Sequence, residues 1–82
     1  MPMPKNTSAS ASASVGSQRV RESFNPSGNP LVDKIKRYTA DLIDLCHSEM
    51  DKDDNPEMRR LFALAMTQYE DAAMWAVKGA TI

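Results

Sequence analysis

NPLVDKIKRYTADLIDLCHSEM, residues 29–50, and NPEMRRLFALAMTQYEDAAMWAVKG, residues 55–79, open on the same dipeptide. Asparagine is a strong helix N-cap because its side chain accepts a hydrogen bond from a free backbone N–H. Proline suits the first helical position, where its missing N–H costs no bond. Each pair therefore marks a helix start, and the apolar periodicity that follows predicts helices over about 30–50 and 56–78. In the first, Leu31, Ile35, Tyr38, Leu42 and Leu45 keep a 3–4 spacing, and Val32, Thr39, Ile43, Cys46 and Met50 form a second strip beside them. In the second, Met58, Leu61, Phe62, Ala65, Tyr69, Ala72, Ala73 and Ala76 make the main face, with Leu64, Met66, Met74, Trp75 and Val77 off it. Asp51-Lys52-Asp53-Asp54 is a polar turn, short enough to make the helices antiparallel neighbours. Gly79 is placed to cap the second helix. The fold class is all-α: a two-helix antiparallel hairpin.

Upstream, residues 1–18 are mostly Ser, Ala and small polar residues, with no large apolar residue between Met3 and Val15. Such a segment has too little to bury to offset its ordering entropy. The chain thus divides into a disordered tail, 1–18, and a hairpin domain, 19–82. A hairpin of this size is at the edge of what one chain stabilises alone, with no disulfide to help it. Its helices are apolar around more of their circumference than one partner helix covers. Small residues at Ala63, Ala65, Ala72, Ala73, Ala76, Gly79 and Ala80 allow close approach, so assembly with further copies is expected. A marginal monomer with a few exposed Met and Trp side chains is the alternative.

Composition narrows the function. The net charge of −1 argues against a general DNA or RNA binder. Cys46 is the lone cysteine and His47 the lone histidine; adjacent residues on a helix diverge, and two ligands do not close a zinc site, so no metal is expected. No apolar run approaches the length that spans a bilayer, and the N-terminus lacks the apolar core of a secretory signal. A cytoplasmic protein without membrane contact is the expectation. No phosphate loop, nucleophile motif or histidine cluster is present, so neither an enzyme nor a cofactor is expected.

Charge is unevenly spread. Arg19, Arg21, Lys34, Lys36 and Arg37 crowd one end of the hairpin, to which the antiparallel return brings Lys78, and the turn end is acidic. Cations in the first turns of a helix oppose its dipole. A helix start with lysines nearby is a natural place for a phosphate. Phe24 offers a flat face for a base, and Asn25, Ser27 and Gly28 offer turn chemistry and backbone donors. Together these point to a phosphorylated ligand carrying a base. A solvated basic face, with Phe24 capping the core, is the plainer alternative.

Phe24-Asn25-Pro26-Ser27-Gly28, Val32, Ile35-Lys36 and Leu42-Ile43-Asp44 resemble a family of small phage and prophage proteins. So do Arg60, Ala65, Thr67, Glu70, Ala72, the run Met74-Trp75-Ala76-Val77-Lys78, and Thr81. This is the helical hairpin of the phage anti-CBASS cyclic-oligonucleotide sponges, and the resemblance spans about 24–81. It implies a compact homo-oligomer, typically a hexamer, that holds cyclic dinucleotides such as cGAMP, and in some members cyclic trinucleotides, between protomers without cleaving them. In the host bacterial cytoplasm this starves the CBASS effector and protects the bacteriophage. By this resemblance Phe24 and Lys36 contact the dinucleotide; Ser27, Gly28 and Lys34 are ligand candidates on the turn and charge chemistry above. Lys78 faces the symmetry axis, and Arg60 and Thr67 fall at further family positions. The competing expectation is a phage helical oligomer that serves as a protein–protein interaction module.

Overall fold

The computed structural model describes residues 14–82. Among them are three helices and no strand: α1, Val15–Val20; α2, Pro30–Met50; and α3, Pro56–Ala80. Both Asn-Pro starts form as expected. Asn29 Oδ1 accepts from the Leu31 N–H at 2.8 Å, and Asn55 Oδ1 from the Met58 N–H at 3.0 Å. The α2 bounds match the expectation. The α3 helix runs two residues past it: Gly79 is helical, and Thr81 caps the end while its hydroxyl donates back to the Val77 carbonyl at 2.9 Å. Glycine in a helix costs only about 1 kcal/mol, which the final turn tolerates.

The tail boundary needs correction. Residues 15–18, assigned to the tail, belong to α1, so the ordered chain begins before Arg19; residues 1–13 of that assignment lie outside the described residues. A six-residue helix has little stability of its own. Tertiary contacts hold this one. Ser14 caps it by accepting from the Ser17 N–H, and the Gly16 N–H donates to Asp44 Oδ1 on α2 at 2.6 Å. Gly16 lies so close to α2 that a Cβ built on it would stand 2.0 Å from the Ala40 carbonyl oxygen. Gly16→Ala is therefore expected to lower stability by about 1–3 kcal/mol, as overpacking does. Chemical denaturation measures this, and an unchanged midpoint would mean that α1 is not docked. By the same contacts, removal of residues 1–17 should destabilise the domain.

The core is small. Val20 from α1, Ala40, Ile43 and Cys46 from α2, and Met66 and Ala73 from α3 form its buried cluster, packed round by Val15, Met50, Phe62, Ala65 and Tyr69. Only Ile43 among the larger side chains is fully buried. The inner face of α2 is thus the second apolar strip, Val32–Ile43–Cys46, with Lys36 and Ala40 completing it. Leu31, Tyr38, Leu42 and Leu45 of the first strip are exposed, as are Leu61, Leu64, Met74 and Trp75 on α3. Met66, placed off the main α3 face by spacing, points inward instead. Burial pushes the Cys46 thiol above its ordinary pKa. Cys46 should therefore resist alkylation at neutral pH in the folded protein and label once on unfolding. Labelling at the rate of a free thiol would show that this core opens.

Candidate functional site

The hairpin brings the ends of the long helices together with α1. Asn29 Nδ2 donates to the Ala80 carbonyl at 3.1 Å, which fixes the C-terminus of α3 beside the start of α2. Here the 21–29 loop builds its own frame. Asn25 Nδ2 donates to the Asn29 carbonyl and to Asp33 Oδ1, both at 2.9 Å; Ser27 Oγ donates to Asn25 Oδ1 at 2.8 Å and accepts from the Asn29 N–H at 3.2 Å. Gly28 has φ +67°, a conformation glycine adopts without strain, and its N–H closes the turn onto the Asn25 carbonyl at 3.1 Å. Ser27 and the Gly28 N–H, expected as ligand donors, are thus engaged in holding the turn.

Phe24 projects from this loop, 55 % exposed. The Arg21 guanidinium lies 5.0 Å from its ring centroid and the Lys36 ammonium 5.4 Å, both within cation–π range. Lys36 is on the inner face of α2, not among the solvated cations: it is 7 % exposed, and its Nζ donates to the Arg21 carbonyl at 3.0 Å and to the Phe24 carbonyl. Burial depresses its pKa below the ordinary lysine value; the nearby Arg21 pushes the same way and Asp33 opposes. An ammonium has three donors, so one remains beyond the two carbonyls. Lys36 therefore ties the loop that carries Phe24, while Arg21 is the exposed cation above the ring. Arg21 caps α1 with φ 55°, and its N–H bonds to the Gln18 carbonyl.

Two concavities share Phe24, Lys36 and Val77. One, about 300 Å³, extends along α3 past Arg19, Glu70, Ala73 and Met74. The other, about 230 Å³, lies under the 25–27 turn beside Val32 and Thr81. Of the residues singled out in the sequence, Phe24, Ser27 and Lys36 line these hollows, and Gly28 belongs to the turn beside them without lining either. Lys34 is exposed one turn into α2. Lys78 stands over the Trp75 ring at 5.3 Å, on the last turns of α3. Thr67 is farther along α3, where it accepts from Arg19 at 3.4 Å. Arg60 is near the opposite, acidic end; it pairs with Glu57 at 2.7 Å, and the hydrogen bond from Arg60 holds the Glu57 carboxyl below its ordinary pKa. The sequence marked Glu70 only as part of a family pattern and Arg19 and Arg21 only as part of the basic end, and assigned none of the three to the site. Their signal was the docking of α1, which no local pattern carries.

Among the described residues, no group of three or more His, Cys, Asp or Glu could hold a metal ion, and no helix is long and apolar enough to cross a membrane. Comparison with known families matches residues 16–81 to the Acb2/Tad1 hairpin domain. No curated protein and no solved structure matches the chain.

Proposed function

Because the chain belongs to the Acb2/Tad1 hairpin family, which is associated with anti-CBASS sequestration of cyclic oligonucleotides, we propose that it binds such messengers and holds them uncleaved. The observation that carries this reading is the meeting of an exposed aromatic ring, Phe24, with two cations, Arg21 and Lys36, at the open end of the hairpin. A cyclic dinucleotide has two bases and two phosphates. Phe24 suits a base by stacking. Arg21, Lys34 and the remaining Lys36 donor suit phosphates, and the Ser27–Gly28 turn positions Phe24.

In this reading the working form is a homo-oligomer, a hexamer in the family's manner. Eight large apolar side chains across α2 and α3, from Leu31 to Trp75, lack cover within the protomer, and a patch of that kind calls for a partner. Pockets between protomers also give Arg60 and Thr67 a place: distant from Phe24 in one protomer, they serve ligand contacts across a boundary. Lys78 serves a cyclic trinucleotide near the symmetry axis. The protein acts in a host bacterial cytoplasm on behalf of a phage.

The test is thermal stability with added cyclic dinucleotides and trinucleotides. Binding to the folded state alone stabilises by about 2.7 kcal/mol at a hundredfold ligand excess over Kd. A rise in melting temperature supports the sponge. No shift with any cyclic nucleotide favours a second reading, in which the uncovered apolar face makes this an interaction module for another protein.

A further inference from the structure

The concavity along α3 contains one carboxylate among its cations. Its charged lining is Arg19, Arg21, Lys36 and Glu70, with Phe24 and Met74 beside them, in about 300 Å³, the lower end of the range for small-ligand sites. Three cations suit an anionic ligand. A carboxylate in the same hollow repels it, unless the ligand brings hydrogen-bond donors to meet that carboxylate.

We propose that Glu70 reads the base of the ligand and selects guanine. The inference rests on the cyclic-nucleotide reading above and adds to it which base the site prefers. Arg19 holds Glu70 in place: its Nε donates to Oε1 at 3.0 Å, while Nη2 reaches Thr67 Oγ1 at 3.4 Å, so the guanidinium runs along α3. An ionised carboxylate only accepts hydrogen bonds, and it has two oxygens to do so. The Watson–Crick edge of guanine presents two adjacent donors, N1–H and the N2 amino group. Adenine presents one donor beside the N1 acceptor, and cytosine one donor beside the N3 acceptor. Uracil presents one donor between two carbonyls. A carboxylate therefore pairs bidentately with guanine and meets a repelling lone pair on each of the others. Phe24, on the wall of the same hollow, supplies the face on which such a base stacks.

The plainer role for Glu70 is a tether, with Arg19 clamping α1 to α3. That role predicts an effect on stability and none on base preference, so base preference is the quantity to measure. Calorimetry on the full chain, with cyclic di-GMP and cyclic di-AMP, should show the guanine ligand preferred by roughly tenfold to a hundredfold, the scale of a bidentate base contact. Glu70→Gln should cancel or reverse that preference, because a glutamine amide donates to adenine N1 and accepts from its N6 amino group. The lost negative charge strengthens binding of both ligands alike, so the ratio does not register it. A parent protein that binds both equally, or prefers adenine, overturns the inference even if the variant fails to fold. So does a preference that survives Glu70→Gln. If the parent binds neither ligand, nor any cyclic oligonucleotide, the sponge reading itself fails and this inference falls with it.

Discussion

Ala73→Glu is expected to abolish the folded hairpin. Ala73 is on the buried side of α3 within the cluster of Val20, Ile43 and Met66, although the hollow at its edge is lined by Arg19, Arg21 and Lys36. A glutamate side chain overpacks this cluster, at about 1–3 kcal/mol, and takes part of a charge out of water besides. Together these are comparable to the whole stability of a domain with so small a core. Far-UV circular dichroism should show loss of helix at room temperature, and retention of native helicity would mean that this face does not close the core. Its neighbour Ala72 is exposed in the protomer. In the proposed assembly, Ala72→Glu should spare the hairpin and lower the sedimenting mass, and an unchanged mass would mean that Ala72 does not face a second copy. The sequence alone did not separate these two alanines; the packing does.

Phe24→Ala should weaken cyclic dinucleotide binding by roughly tenfold to a hundredfold, since base–aromatic stacking is worth about 1–3 kcal/mol per base. Lys36→Ala should cost at least as much, for two reasons. It removes a charge-assisted contact of about 1.5–3 kcal/mol. It also frees the Arg21 and Phe24 carbonyls that position the ring. Arg21→Ala separates these effects: it leaves the Lys36 tether and should weaken binding with a shallower salt dependence. In a symmetric assembly every site carries the change, so intact sites cannot mask the loss. Calorimetry on variants first shown to assemble reads all three. Parent-like affinity for Phe24→Ala and Lys36→Ala together would place the pocket elsewhere.

The two long helices were legible because their determinants are local. Asn29-Pro30 and Asn55-Pro56 cap and start them, and the apolar spacing runs through each. The α1 helix was not legible. VGSQRV is too short for periodicity, and its helix depends on the Gly16–Ala40 approach and the Asp44 contact, both set by a segment more than twenty residues away. Which of the two strips on α2 faces inward was not legible either, for a related reason. Val32, Lys36, Ala40 and Ile43 follow helical spacing, but a lysine breaks the stripe as hydropathy reads it. Lys36 is buried because its stem covers apolar surface while its ammonium finds two carbonyls. Phe24 and Lys36 could be picked out as residue types at one end of the hairpin. The carbonyl bonds of Lys36 and the proximity of Glu70 required α1 in place.

Sequestration is tested most directly by following the ligand. The protein is mixed with a cyclic dinucleotide, the assembly is separated from free ligand, and the bound fraction is released by heating and analysed by mass spectrometry. A sponge retains ligand at a fixed ratio to protein and releases it with its ring intact. Recovery of linear or hydrolysed nucleotide would make this an enzyme, and absence of retained ligand at concentrations well above micromolar would contradict sequestration altogether.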